Sequence, residues 1–160
     1  MLILDTSSIV YGWDNYPIKH FPKLWEWLSI QISDDLLVIP SIAAQEVNNV
    51  SQECWDWLDK QSIKQFPPTN AILREASRIK SVIGIKDDKY GPTGVGENDI
   101  IIISTAKIHG GILISDESKQ PTLPKNPANI KIPAVCDLPQ VKQPCINFLE
   151  YITSSNAVFG

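Results

Sequence analysis

The chain has few cysteines and no long apolar run, and each shortage excludes a class of protein. Its three cysteines, Cys54, Cys136 and Cys145, are an odd number without a C-x-x-C pair, which argues against a disulfide framework and a cysteine zinc site. We therefore expect a reducing, cytoplasmic setting. Apolar runs reach only about four residues, as at 100–103, whereas a membrane span needs roughly 20. No basic segment precedes an apolar stretch at the N-terminus, so neither a membrane protein nor a signal peptide is predicted.

The chain is also short of positive charge. Its formal net charge is -4 and its pI is near 5.1, and only two of the 14 basic residues are arginines. Phosphate groups are bound mainly by clusters of Lys and Arg, so this composition by itself does not indicate a nucleic-acid-binding protein. The alternative is an enzyme whose excess acids are partly neutralised by metal ions. Net charge alone does not decide between the two.

What the sequence does contain is an alternation of strands and helices. At 160 residues we expect one domain spanning 1–160. Short apolar runs predict buried strands over 2–4, 36–39, 112–114 and 130–132. Helical spacing of apolar residues predicts helices over 21–32, from Ser41, around 55–58, over 70–83, over 97–109, and from 139 or 141 to 152. Such alternation is typical of an α/β fold with a mostly parallel sheet covered by helices.

Acidic residues follow two of these predicted strands directly. Asp5 comes after the first strand, and the pair Asp116 and Glu117 comes after the strand at 112–114, while Glu46 and Asp99 lie on or at helices that follow loops. Ligands of open α/β sheets bind beyond the carboxyl ends of the strands, so these acids can converge at one edge. Each also has a structural explanation, as a turn or cap residue for Asp5 and Asp99 and as an exposed helix residue for Glu46.

A cluster of carboxylates indicates a metal ion. Carboxylates held close together repel one another and raise each other's pKa unless a cation lies between them. Oxygen ligands suit a hard ion, so Mg²⁺ is expected, with Mn²⁺ acceptable. Such an ion activates water as a nucleophile and stabilises the leaving oxygen in phosphodiester cleavage.

Four blocks of the sequence together resemble the PIN-domain family, and more closely its VapC-like toxin branch. The blocks are Leu-Asp5-Thr-Ser, Ala-Gln-Glu46-Val, Glu-Asn-Asp99 followed by four isoleucines, and Leu-Ile-Ser115-Asp-Glu117. The resemblance implies a three-layer α/β/α fold and a Mg²⁺- or Mn²⁺-dependent endoribonuclease that acts on RNA. It further implies a homodimer and, in bacteria, the toxin of a toxin–antitoxin pair with a protein antitoxin as partner.

The resemblance also assigns roles to individual residues. Asp5, Glu46 and Asp99 match the three most regular metal-binding acids of the family. The fourth block of the family reads Thr-x-Asp, which places a hydroxyl at Ser115 and the acid at Glu117, with Asp116 as the competing ligand. Ser7, two residues after the first acid, and Ser115 are expected to position water at the metal.

Two other functions remain open from the sequence. A phosphatase of the haloacid dehalogenase type also begins with an acid at a strand end, but it needs a second Asp two residues later, where this chain has Ser7. Nucleotide-binding glycine motifs are absent, because residues 91–96 match neither G-x-x-x-x-G-K-[ST] nor G-x-G-x-x-G. A metal-dependent phosphatase on an α/β fold is therefore one alternative, and a catalytically silent PIN-like module that binds protein is the other.

Overall fold

The centre of the fold is a five-stranded sheet in which every neighbouring pair of strands is parallel. A computed structural model describes residues 1–160 and places the strands in the order β3-β2-β1-β4-β5. The strands are β1 (Leu2–Leu4), β2 (Leu37–Pro40), β3 (Gln65–Phe66), β4 (Ile112–Ile114) and β5 (Cys145–Ile146). The predicted α/β class and parallel sheet are confirmed.

Eight α-helices surround this sheet. They are α1 (Thr6–Asn15), α2 (Pro22–Ser33), α3 (Ser41–Val50), α4 (Gln52–Lys60), α5 (Asn70–Val82), α6 (Glu97–His109), α7 (Ile132–Asp137) and α8 (Phe148–Ser154), with a 3₁₀ turn at Pro127–Asn129. The isoleucine-rich segment is helical, as predicted, and Gly110 ends it in the left-handed conformation at φ 63°. None of the helices combines the length and the apolar character needed to cross a membrane.

The central strand β1 decides where the functional residues lie. It pairs with β2 and β4 on its two sides, with Ile3 opposite Val38 and Leu113. Ile3 and Leu4 are completely buried, as expected for the middle of a parallel sheet covered on both faces. Because all strands run the same way, the residues that follow β1, β2 and β4 meet at one edge of the sheet.

The last quarter of the chain differs from the prediction. The strand predicted over 130–132 is wrong, because Lys131 precedes α7 and Pro133 lies in its first turn, where proline is favourable. The helix predicted from 139 or 141 is wrong in its first part. Lys142 takes a left-handed φ of 47° and residues 145–146 form β5, so α8 begins only at Phe148.

Helix α1 begins directly after Asp5. Ser7 and Ser8 are of a residue type that commonly caps a helix start, but neither caps α1. Asp5 occupies the position before the helix, and its carboxylate makes no capping hydrogen bond. The helix continues through Gly12, which is buried where the ring of Phe148 packs against it. A Cβ atom at Gly12 would lie 2.6 Å from Cζ of Phe148. The glycine therefore lets α8 approach α1 closely.

We predict that Gly12→Ala destabilises the protein, although alanine favours helices. The added methyl group would meet three ring carbons of the fully buried Phe148, and overpacking should outweigh the gain in helix propensity by about 1–2 kcal/mol. The melting temperature should then fall by roughly 3–6 °C. In a Phe148→Leu background the same substitution should be neutral or stabilising, and an equal loss in both backgrounds would contradict this explanation.

Candidate active site

The site is built around Asp5, a buried carboxylate at the end of the central strand. Asp5 is only 2% exposed. Its Oδ2 atom accepts hydrogen bonds from the hydroxyl groups of Ser7 (2.5 Å) and Ser115 (2.9 Å). Ser7 lies in the first turn of α1, just after β1, and Ser115 follows β4, so one oxygen atom joins the ends of two neighbouring strands.

Both hydroxyl groups are oriented by the backbone. The amide N–H of Asp116 donates to Oγ of Ser7 at 2.9 Å, and the amide N–H of Glu117 donates to Oγ of Ser115 at 3.4 Å. Because each hydroxyl oxygen already accepts an amide proton, its own proton is free to be directed at Asp5. Two hydrogen-bonded chains thus run from the backbone after β4 to the same carboxylate. The water-positioning role of Ser7 and Ser115 stays a prediction.

Glu46 lies on α3, which follows β2, and both of its carboxylate oxygens accept hydrogen bonds. The hydroxyl of Thr6 donates to Oε2 and the side-chain amide of Asn98 donates to Oε1, each at 2.7 Å. Thr6 adjoins Asp5 and Asn98 adjoins Asp99 in the sequence. Glu46 is therefore held between the two segments that carry the other acids.

Asp99 lies in the first turn of α6 and faces the other acids. Its Oδ2 atom accepts the backbone N–H of Gly96 at 2.7 Å, so the carboxylate also satisfies the start of its own helix. The second oxygen, Oδ1, accepts no hydrogen bond. Asp99 is not the cap residue that the sequence allowed, because α6 begins two residues earlier, at Glu97, and Gly96 precedes it.

Glu117 and Asp116, the competitors for the fourth position, lie in different surroundings. The carboxylate of Asp116 accepts the backbone N–H of Phe148 at the start of α8, at 3.0 Å. Glu117 accepts the backbone N–H of Ile132 through Oε2, also at 3.0 Å, which leaves Oε1 without a hydrogen bond. The charge of Glu117 acts on both Asp5 and Asp99, whereas Asp116 is influenced by the neighbouring Glu150.

The charges of the other acids act on the two more buried carboxylates, Asp5 and Asp99. Burial, with a smaller contribution from the charge of Glu117, raises the pKa of Asp5 to about 6 despite the lowering effect of the Ser7 and Ser115 hydrogen bonds. Burial likewise raises the pKa of Asp99 to about 7, and the charges of Glu117, Asp5 and Glu46 add to the rise. The structure therefore brings Asp5, Glu46, Asp99 and Glu117 together and directs Asp116 elsewhere.

The donor set has the chemistry of a hard-cation site. It consists of carboxylates that repel one another, and a divalent cation would relieve this repulsion. As the side chains are placed, no group of three or more Asp, Glu, His or Cys residues lies close enough together to hold one ion. The acids that fit an oxygen-ligated ion would thus have to move closer together around it.

Sequence reasoning missed the residues that support the acids. Thr6 and Asn98 hold Glu46, and the backbone amides of Gly96 and Ile132 hold Asp99 and Glu117. The only signal for Thr6 and Asn98 was their position next to predicted acids. Nothing near Glu117 in the sequence pointed to Ile132, 15 residues later.

Comparison with protein families gives one match that spans almost the whole chain. Residues 2–159 match the model of a family described as "Domain of unknown function (DUF4411)". No curated protein matches the sequence.

Solved structures share the fold at low sequence identity. The VapBC2 complex of Rickettsia felis, solved with a DNA fragment from its promoter, is 18% identical with a TM-score of 0.52 and covers 81% of this chain and 96% of its own. DNA-bound VapBC of Salmonella typhimurium is 15% identical with a TM-score of 0.56, covering 92% and 97%. FitAcB of Neisseria gonorrhoeae is 16% identical with a TM-score of 0.52, covering 93% and 99%. The expected PIN-like fold is confirmed.

We predict that Asp99→Asn stabilises the metal-free protein at alkaline pH. The pKa of Asp99 is about 7 in the folded chain against about 3.9 when unfolded, so wild type loses stability as pH rises from about 4 to 7. The variant lacks this loss and keeps an oxygen acceptor for Gly96. In EDTA at pH 8 its melting temperature should be about 3–8 °C above wild type, allowing for partial exposure.

The gain in melting temperature from Asp99→Asn should largely disappear near pH 4, where Asp99 of the folded wild type is protonated. Asp56→Asn, on the exposed face of α4, is the matched control and should show no pH-dependent gain. A constant difference in melting temperature between Asp99→Asn and wild type across this pH range would contradict a raised pKa of Asp99 in the folded protein.

Proposed function

The chain belongs to the DUF4411 family, and from its site we propose that it is a Mg²⁺- or Mn²⁺-dependent endoribonuclease. The observation that carries the proposal is the group of four acids, Asp5, Glu46, Asp99 and Glu117, brought to one edge of the sheet from four separate segments. Two of them have pKa values raised by burial and by their neighbours. Such perturbed groups cluster at functional sites.

The residues of the site have two kinds of role, metal binding and the positioning of the metal-binding acids. Asp5, Asp99 and Glu117 would hold the metal, with Glu46 at its side, and we assign the fourth position to Glu117 because Asp116 is engaged with α8. Ser7 and Ser115 fix the buried Asp5, and Thr6 and Asn98 fix Glu46. The bound ion would supply the positive charge that activates water and stabilises a phosphodiester under attack.

The alternatives account less well for these contacts. In a phosphatase of the haloacid dehalogenase type, position 7 would carry an acid able to transfer a proton, but Ser7 is hydrogen-bonded to Asp5 itself. A silent protein-binding module would have no use for several half-buried acids that repel one another, because unpaired buried charge costs stability.

We further propose that the protein is the toxin of a toxin–antitoxin pair and acts as a homodimer. Support comes from the shared fold with VapBC and FitAcB, which were solved as complexes. Fold likeness alone does not assign function, so this part of the proposal needs its own experiment.

We predict that purified protein cleaves RNA with Mg²⁺ or Mn²⁺ and that EDTA abolishes cleavage. Asp5→Asn should reduce the cleavage rate by at least about 100-fold, because one ligand charge is lost at the centre of the site. Mn²⁺ should also raise the melting temperature of wild type at pH 7.5, and much less that of the variant.

Asp116→Asn is the matched control, since it removes an adjacent carboxylate that lies outside the group of four. It should retain most of the activity. Equal cleavage by wild type and Asp5→Asn across a panel of structured and unstructured RNAs would refute the nuclease function.

We predict that expression of wild type in a bacterial host arrests growth and that expression of Asp99→Asn does not. Loss of this acid should remove cleavage while the Asn side chain still accepts the Gly96 amide. Growth curves at matched protein levels test this. Normal growth with abundant, active wild type would contradict the toxin role and leave the nuclease function standing.

A further inference from the structure

A row of aromatic side chains extends from the candidate active site across α1 and the segment that follows it. Tyr11 and Phe21 are 36% and 43% exposed, and Tyr16 lies between them. The ring centroids of Tyr11 and Tyr16 are 6.3 Å apart, and those of Tyr16 and Phe21 are 5.4 Å apart, both in edge-to-face arrangement. We call Tyr11, Tyr16 and Phe21 the aromatic row.

The aromatic row is continuous with the site. Tyr11 lies four residues after Ser7 on α1, so the two side chains share one face of the helix, about 6 Å apart along its axis. The ring of Tyr16 packs on Phe148 with centroids 5.9 Å apart, and the backbone N–H of Phe148 binds Asp116. The buried Phe148 thus connects Tyr16 to Asp116, the residue after Ser115.

The aromatic row is also held rigidly without a ligand. The indole N–H of Trp25 donates to the carbonyl oxygen of Tyr16 at 2.7 Å. The carbonyl of Pro17 accepts the N–H groups of His20 and Phe21, which closes the turn between the two rings. Rings fixed in advance lose little entropy when a flat ligand stacks on them.

The charge around the outer end of the row suits a phosphate backbone. Residues 17–23 are all exposed and contain no acid, while Lys19, His20 and Lys23 flank Phe21. Lys23 is paired with Glu26 at 3.0 Å, which leaves Lys19 as the unpaired lysine of this segment. Aromatic rings alternating with basic side chains are the usual surface for single-stranded nucleic acid.

We propose that Tyr11, Tyr16 and Phe21 form a stacking surface for the bases of single-stranded RNA that enters the candidate active site. This inference rests on the proposed function and makes it more specific. A duplex keeps its bases stacked on one another and therefore has no free ring faces to offer to the row. The preferred substrate would be an unpaired stretch or loop, read without strong sequence preference.

The test measures binding separately from cleavage. Fluorescence anisotropy at low salt in EDTA compares a labelled oligouridylate with a duplex RNA of equal length. Wild type should bind the single strand more tightly than the duplex. Tyr11→Leu and Phe21→Leu should each weaken the affinity for the single strand by about fivefold or more. Ile30→Ala, which changes an exposed apolar residue of α2 outside the row, is the control and should bind as wild type does.

A second measurement shows stacking directly. Oligouridylate carrying 5-iodouridine crosslinks under light to aromatic side chains on which the base stacks, and mass spectrometry should locate the crosslinks at residues 11, 16 or 21. The proposal would be overturned if wild type did not bind the single strand, or if wild type and both variants bound it with equal affinity. Crosslinks found only outside residues 11, 16 and 21 would also overturn it. Metal-dependent cleavage that survives in such a case would leave the nuclease function intact. Stacking without any cleavage would refute the nuclease function and keep the RNA-binding surface.

Discussion

The structure depends on how one buried carboxylate is kept in place. Asp5 ends the central strand, where burial strongly disfavours its charge, and the Ser7 and Ser115 hydroxyls offset part of that cost through a single oxygen. Those hydroxyls are in turn oriented by the amides of residues 116 and 117. The ends of β1 and β4 and the start of α1 are therefore fixed relative to one another by hydrogen bonds as well as by the sheet.

The group of acids lowers the stability of the folded protein when no cation is bound. Burial, and to a smaller extent the charges of the neighbouring acids, disfavours the ionised forms of Asp5 and Asp99 in the absence of a cation, and their pKa values are raised accordingly. The fold compensates with hydrogen bonds, so that each of the four acids has a partner outside the group. Hydroxyls bind Asp5, Thr6 and Asn98 bind Glu46, and backbone amides bind Asp99 and Glu117. Carboxylates with pKa values perturbed in this way cluster at functional sites.

Much of the fold and the position of the acids could be predicted from local sequence. The runs 2–4 and 112–114 are apolar and end in polar residues, so their strands, and the edge where Asp5 and Glu117 lie, follow from pattern alone. Strand β5 could not be predicted, because two residues give no periodicity and their pairing with Leu113 and Ile114 is a tertiary contact. Similarly, local sequence could not show that Asp116 is bound by α8, since the amide that binds it belongs to Phe148, far along the chain.

One contact between loops links two of the four acids. The loop before α6 packs against the 3₁₀ turn so closely that a Cβ at Gly91 or Gly94 would lie 2.4 or 2.0 Å from the carbonyl oxygen of Ala128. The Val95 N–H donates to the Ile130 carbonyl at 2.8 Å, and two residues later the Ile132 amide binds Glu117. Asp99 follows the loop before α6, and Glu117 is bound by the segment that follows the 3₁₀ turn. A shift where this loop and this turn touch would therefore move both acids. The glycine-rich loop, unremarkable in the sequence, thus belongs to the scaffold of the site.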